Sequence, residues 1–244
     1  MIRVIFQGTY PKEVNEEIAN EDAFAISPDH KKLILCDGAS ESYNSKLWSQ
    51  IICESFIEND ELNEDWLKST IKKYVVEHNF ESMSWSQLSA YQRGSFSTLT
   101  SVTLDSKTNE ITVRLFGDSF IFFFGRKNGL YEYIPTFEIP DFDSNPLLLS
   151  TKMDLNSEID FNSSNINHCF NLPLENSYES IVAICATDAL ADWFSRAIIN
   201  IENNRLLQIF LTMNNKKFKR LVDFCRKRGS LKFDDTTLII AEIK

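Results

Sequence analysis

Glycine and proline are scarce, at seven and six in 244 residues, which excludes collagen-like and low-complexity disordered chains. Positive charge is also in short supply: 25 Lys and Arg face 35 Asp and Glu, for a formal net charge of −10. Non-specific binding to nucleic acid or an anionic membrane needs a basic footprint, so neither is expected. No apolar run approaches the length of a membrane-spanning helix, and Met1-Ile-Arg-Val-Ile-Phe is too short and too quickly polar for a signal peptide. The five cysteines (Cys36, Cys53, Cys169, Cys185 and Cys225) form no CxxC pair and no zinc-spaced set with histidine. Several stand in apolar runs, where cysteine acts as a small hydrophobe. An odd, unclustered set suits a reducing compartment, so the cytoplasm is the expected location. What is present is core material: 43% of residues are hydrophobic, enough to read residues 1–244 as one domain.

Short β-branched or aromatic runs predict strands at Arg3–Phe6, Ala23–Ile26, Leu33–Cys36, Thr98–Leu104, Ile111–Phe116, Ile121–Phe124, Ile181–Cys185 and Thr237–Ile243. The turn signals Asp105–Asn109 and Arg126–Gly129 join neighbouring strands at hairpin spacing, which implies antiparallel sheets. Apolar residues at i, i+3, i+4 spacing predict helices at Lys46–Glu58 and Asn63–Asn79, the second with Asn63 as cap. Further helices are expected at Leu190–Asn200, Glu202–Thr212 and Lys216–Arg228, the last ending at Gly229. Pro135–Leu174 has little periodicity and reads as a long surface loop. Helices packed outside two antiparallel sheets satisfy this order. Trp48, Trp66 and Trp193 fall on apolar helix faces and read as core, and His30, His78 and His168 stand in unrelated contexts. The basic runs at Lys216–Arg220 and Arg226–Arg228 read as a solvated helix face, with docking of an acidic partner or phosphoprotein as the other reading.

The informative feature is where the aspartates stand. Asp37, Asp118 and Asp188 each follow an apolar run, and the pair Asp234-Asp235 precedes one. A buried strand that ends in a carboxylate delivers it to the rim of a sheet. Several such strands side by side gather acids that cannot all stay ionised without a counter-charge. Hard divalent cations with oxygen ligands supply one. Gly38, directly after Asp37, lets the backbone turn so that its carbonyl can also face a metal. For any one of these acids, a turn residue after a strand is explanation enough; four together are harder to explain that way.

Six short motifs then occur in order: Asn20-Glu21-Asp22-Ala, Asp37-Gly38, Gly94-Ser-Phe-Ser-Thr, Gly117-Asp118-Ser119, Ala-Thr-Asp188-Ala-Leu and Asp234-Asp235-Thr-Thr-Leu. Together they span nearly the whole chain and resemble the motifs of the type 2C (PPM) metal-dependent protein phosphatases, most closely a bacterial subgroup of stand-alone domains. The resemblance implies an α+β fold, a four-layer α-β-β-α sandwich of two antiparallel sheets flanked by helices. It implies Mn2+ or Mg2+ as cofactor, two ions and in some members three. By position, Asp37 would bridge two metals, the Gly38 carbonyl would bind the second, and Asp188 and Asp234 would bind the first. Glu21 and Asp22 would hold water in the surrounding shell, while Asp118 and Asp192 would hold a third ion. On a helix starting near Asp188, residues 188 and 192 share a face, which agrees with that last pairing.

The activity so implied is hydrolysis of phosphoserine and phosphothreonine by a water bridging two cations, a phosphoric monoester hydrolase with no covalent intermediate. The implied partner is a phosphoprotein targeted by a bacterial Ser/Thr kinase, and a monomer is expected. Three positions depart from the family pattern. Glu17 stands where a phosphate-holding arginine is common, which leaves Arg93 and Lys12 as candidate bases. Ala189 follows Asp188 in place of glycine, and Ala39 follows Gly38, so no histidine acid is available there. The alternative reading is a pseudophosphatase, a binding module that recognises a phosphoprotein or kinase without efficient hydrolysis. A structural calcium-binding β-protein ranks below both, because the close ligand spacing of a calcium loop is absent.

Overall fold

The architecture was determined from a computed structural model that describes residues 1–13, 19–105, 107–108, 110–163, 166–171 and 178–243. Strands β1 (Ile2–Tyr10), β2 (Ala23–Ile26) and β3 (Lys32–Cys36) come first, then helices α1 (Ser45–Glu58), α2 (Glu64–Val76) and α3 (Trp85–Arg93). A run of strands follows: β4 (Phe96–Ser97), β5 (Leu99–Asp105), β6 (Glu110–Phe116), β7 (Phe120–Lys127), β8 (Leu130–Ile134), β9 (Leu149–Ser150), β10 (Asn167–Asn171) and β11 (Ser180–Ala186). Helices α4 (Asp188–Asn200), α5 (Asn203–Leu211) and α6 (Asn215–Lys227) precede the last strand, β12 (Thr236–Ile243).

Ten of these strands form two five-stranded sheets, ordered β1-β12-β11-β7-β8 and β10-β6-β5-β3-β2, and β4 pairs with β9 in a small ribbon. Every pairing is antiparallel. The side-chain alternation explains the layers. In β7, Phe120, Phe122 and Phe124 enter the core under α4, α5 and α6, while Ile121 and Phe123 enter the core between the sheets. In β12, Leu238 and Ile240 point one way and Ile239, Ala241 and Ile243 the other. Across the second sheet, Leu33 and Leu35 face the inter-sheet core, whereas Ile34 and Cys36 pack with Trp48, Phe56, Trp66 and Tyr74 of α1 and α2. Three apolar layers between four layers of secondary structure give the expected α-β-β-α sandwich. Strands covered on both faces read as continuous apolar runs, as these do.

Local signals account for the element ends. Asn63 Oδ1 accepts from the Trp66 amide at 2.8 Å, and Glu64 and Asp65 occupy the first turn of α2. Asn128 and Gly129 both have positive φ (51° and 76°), the conformation a tight β7–β8 hairpin needs. Pro135–Leu174 is not a plain loop. It supplies β9, a short 3-10 turn at Met153–Asn156, and β10, which extends the second sheet along β6. Cys36, Cys53, Cys185 and Cys225 are buried free thiols.

Candidate active site

The acids singled out in the sequence meet at one end of the sandwich because the strand ends do. Asp37 directly follows β3, Asp118 lies in the β6–β7 turn, Asp188 opens α4 after β11, and Asp234 precedes β12. With Gly38, Ala39, Ser40, Glu41, Thr98, Pro146 and Leu148 they line a cleft of about 300 Å³. Pro146 and Leu148 come from the segment expected to be a surface loop, so part of that segment walls the site.

The backbone is held tightly here. The Asp37 amide donates to Thr98 Oγ1 at 2.8 Å, and the Thr98 amide donates to the Asp37 carbonyl at 2.9 Å. A Cβ on Gly38 would lie 2.9 Å from the carbonyl oxygens of both Glu21 and Ser45, so only glycine fits this turn. Asp22 reaches between the start of α4 and the start of β12. Its Oδ2 accepts from Thr187 Oγ1 (3.2 Å) and lies 2.7 Å from Thr237 Oγ1. Its Oδ1 is sealed from solvent and, among the described residues, has no hydrogen-bond partner.

The electrostatics follow from this crowding. Burial pushes Asp22 up to about 8; a hydrogen bond from Thr237 works against this, and the charges of Asp235 and Asp188 reinforce it. Asp37 is raised well above the usual carboxylate range by burial, then by Asp22, Asp188, Asp118 and Asp234. Asp188 is pushed up to about 6 by burial and by Asp118 and Asp234. Burial is also the main cause of the upward shifts at Asp118, where the charge of Asp234 adds to it, and at Asp234, where the charges of Asp235 and Glu21 do. Five acids that each hinder the ionisation of others form a site that favours cations.

One such cation belongs to the chain. Lys12 Nζ lies 2.8 Å from Glu21 Oε2, 2.6 Å from Ser40 Oγ and 4.0 Å from Asp234 Oδ1. Burial alone would lower the Lys12 pKa, but the Glu21 hydrogen bond and the charges of Glu21, Asp234 and Asp235 raise it. Burial pushes Glu21 up, and hydrogen bonds from Lys12, Ser40 and Ser45 outweigh that and hold it below its ordinary value.

Two expected participants stand elsewhere. The Asp192 carboxylate is gripped by Arg196, with Nε 3.2 Å from Oδ1 and Nη2 2.9 Å from Oδ2, and it does not line the cleft. Arg93 is exposed at the end of α3 and, among the described residues, reaches back only to Ser89 of its own helix. Glu17 lies outside the described residues. One residue was given no role from sequence. Asp235, 3% exposed, accepts from the amides of Lys12 (2.7 Å) and Glu21 (2.8 Å) and so ties the β1–β2 connection to β12. Its signal was the doubled Asp234-Asp235 before an apolar run.

The donor set is all oxygen, which suits Mg2+ or Mn2+ rather than a softer ion. The unpartnered Asp22 Oδ1 and the mutual repulsion of the acids also fit a divalent cation. As the side chains stand, no three acidic, histidine or cysteine side chains among the described residues are gathered to ligand distance.

No protein-family model and no curated protein matches the sequence. Solved structures do match in fold. The serine/threonine phosphatase PstP/Ppp of Mycobacterium tuberculosis superposes with a TM-score of 0.56 at 15% identity, over 100% of this chain and 99% of that one. The catalytic domain of PstP in complex with two manganese ions gives a TM-score of 0.53 at 13% identity, over 100% and 99%. The Staphylococcus aureus serine/threonine phosphatase Stp1 gives 0.53 at 16% identity, over 98% of this chain and 94% of that one. Along its whole length, then, the chain has the fold of the bacterial serine/threonine phosphatases.

Proposed function

We propose that this protein is a metal-dependent phosphoserine/phosphothreonine protein phosphatase. The observation that carries the reading is the convergence of Asp37, Asp118, Asp188 and Asp234 on one cleft, each with its pKa raised, within a fold shared with such phosphatases. Asp37, Asp188, Asp234 and the Gly38 carbonyl would hold two Mn2+ or Mg2+ ions. Asp118 would take part in a third site, which Asp192 could join only by releasing Arg196. When bound, such ions neutralise phosphoryl charge and acidify water for in-line attack.

The chain's own residues do the rest. Glu21 holds Lys12 and Ser45 behind the cleft, and Asp22 joins Thr187 to Thr237 where α4 and β12 begin. Lys12 sits beside Ser40 at the rim, where its ammonium can contact a phosphoryl oxygen in place of the arginine that the chain lacks. Thr98 and Gly38 fix the turn that presents Asp37. Positioning and charge are most of what phosphoryl transfer requires of a protein. The substrate would be a phosphoprotein.

The test is hydrolysis of an aryl phosphate and of a phosphoserine peptide, with Mn2+, with Mg2+ and with EDTA. Turnover that requires the metal and is lost in Asp37→Ala supports the reading. Binding of phosphopeptide without turnover under all three conditions would assign the chain to the pseudophosphatase class instead.

A further inference from the structure

The densest charge outside the cleft has the opposite sign. Between Asn214 and Phe233 the sequence carries eight Lys and Arg against one acid, Asp223, in a chain whose net charge is −10. That acid is spent internally, accepting from the Tyr10 hydroxyl at 3.0 Å. The buried face of α6 is Phe218, Val222 and Cys225, so its cations are left outward. Lys216, Lys217, Lys219, Arg220, Lys227 and Arg228 are all exposed, and none pairs with a carboxylate among the described residues. Elsewhere surface cations do find partners, as in Lys68–Glu64, Lys73–Glu58 and Arg126–Glu179. A solvated face in an acidic protein would be expected to interleave its charges. This one does not.

Its position ties it to the cleft. The Lys219 ammonium and the Arg226 guanidinium each lie 5.3 Å from the Tyr10 ring centroid, at the end of β1 and two residues before Lys12. Arg226 donates to the carbonyls of Pro11 and Asp234, so the C-terminal end of α6 abuts the site wall. Lys232, two residues before Asp234, ion-pairs with Asp143 and donates to the Phe142 carbonyl, in the segment that leads to Pro146 and Leu148 of the cleft. The cations thus form a ridge that begins at the mouth and runs back along α6.

We propose that this ridge docks an acidic segment of the phosphoprotein substrate, so that the enzyme selects phosphorylated residues flanked by Asp and Glu. The inference rests on the phosphatase reading above and adds a substrate class to it. An acid-lined cleft on an acidic protein repels such a substrate, and a basic ridge beside the cleft reverses the local field and steers it in. The length also fits. From Arg226 back to Lys219 is about 10 Å of helix at 1.5 Å per residue. An extended peptide advances about 3.3 Å per residue, so about three successive residues span the ridge.

The test compares two phosphoserine peptides of equal length on the full chain with Mn2+. One carries Glu at three to five positions on both sides, and the other carries Gln there. The acidic peptide is expected to show a KM about tenfold lower, with the advantage shrinking as salt is raised. The variant Lys219→Gln/Arg220→Gln/Lys227→Gln alters exposed positions and should remove most of that advantage. It should leave kcat, the Gln peptide and aryl phosphate unchanged. Equal KM values for the two peptides in the unaltered protein would overturn the inference while leaving the phosphatase reading intact. So would tighter binding to anionic phospholipid vesicles than to the acidic peptide, because the ridge would then serve a membrane surface. If neither peptide nor aryl phosphate is hydrolysed, the phosphatase reading fails and the docking inference falls with it.

Discussion

Asp22→Asn should make the metal-free protein more stable, and the gain should depend on pH in a defined direction. Asp22 is raised from an ordinary 3.8 to about 8, chiefly by burial. A carboxylate whose folded pKa lies above its unfolded value binds its proton more tightly in the native state. Native stability is then fullest below the unfolded pKa and falls as pH rises from about 4 to about 8. At roughly 1.4 kcal/mol per pH unit, the ceiling on that loss is about 5–6 kcal/mol at pH 8 and about 1.5 kcal/mol at pH 5. Asp37 and Asp188 compete for the same protons, and local relaxation softens the burial cost. The realised figures are then on the order of 3 kcal/mol at pH 8 and 1 kcal/mol at pH 5.

Asparagine keeps the shape and removes the charge. Its carbonyl can accept from Thr187 and Thr237 as Asp22 Oδ2 does, and its NH2 replaces an Oδ1 that has no partner and stands in the field of Asp188 and Asp235. A chain of this length shifts its Tm by about 2–4 °C per kcal/mol, so a rise of about 6–12 °C is expected at pH 8 and a few degrees at pH 5. Thermal melts and urea titrations in EDTA at the two pH values measure this. Adding Mn2+ should reverse the order, because a bound cation supplies the counter-charge that the carboxylate lacks and stabilises the unaltered protein more than the variant. Equal stability of the two proteins at pH 8, or the same gain at both pH values, would refute the account of a buried and electrostatically frustrated acid.

Three other substitutions probe the same end of the sandwich. Asp37→Ala should abolish high-affinity Mn2+ binding by calorimetry together with turnover, while circular dichroism stays native. Gly38→Ala places a Cβ 2.9 Å from two backbone carbonyl oxygens that cannot swing aside, so urea unfolding should register a loss of about 1–3 kcal/mol and activity should fall with it. Lys12→Met removes the cation that helps to hold Glu21 below its ordinary pKa, so the acid limb of the pH–rate profile should move to higher pH. If Lys12 also contacts phosphate, KM for aryl phosphate should rise by about tenfold.

The strands were legible where burial on both faces wrote continuous apolar runs, and the elements that went unread lack that signature. No residue of α3 is buried, and Trp85 is 85% exposed. The helix starts at a capping box between Ser84 and Gln87 and packs through the half-buried Tyr91 against Tyr43 and Tyr74, too little burial to mark it out in the sequence. At the sheet edges, β8 is nowhere fully buried, and β10 is written Asn-His-Cys-Phe-Asn, a polar sequence that pairs through its backbone with β6. Backbone pairing has no sequence period of its own, so such strands look like loop.

In the site, the acids were legible because a carboxylate at a strand end needs only one-dimensional information to place it at a sheet rim. Asp235 was less so, because its contacts are with the amides of Lys12 and Glu21, more than two hundred positions away. Asp192 shows how a local rule can point two ways. The i, i+4 spacing that sets it on the same face as Asp188 also sets it one turn before Arg196, whose guanidinium meets both of its oxygens. A fixed guanidinium one turn away competes with any shared ion. Spacing supplies the neighbours, and the three-dimensional charge balance decides which of them the carboxylate keeps.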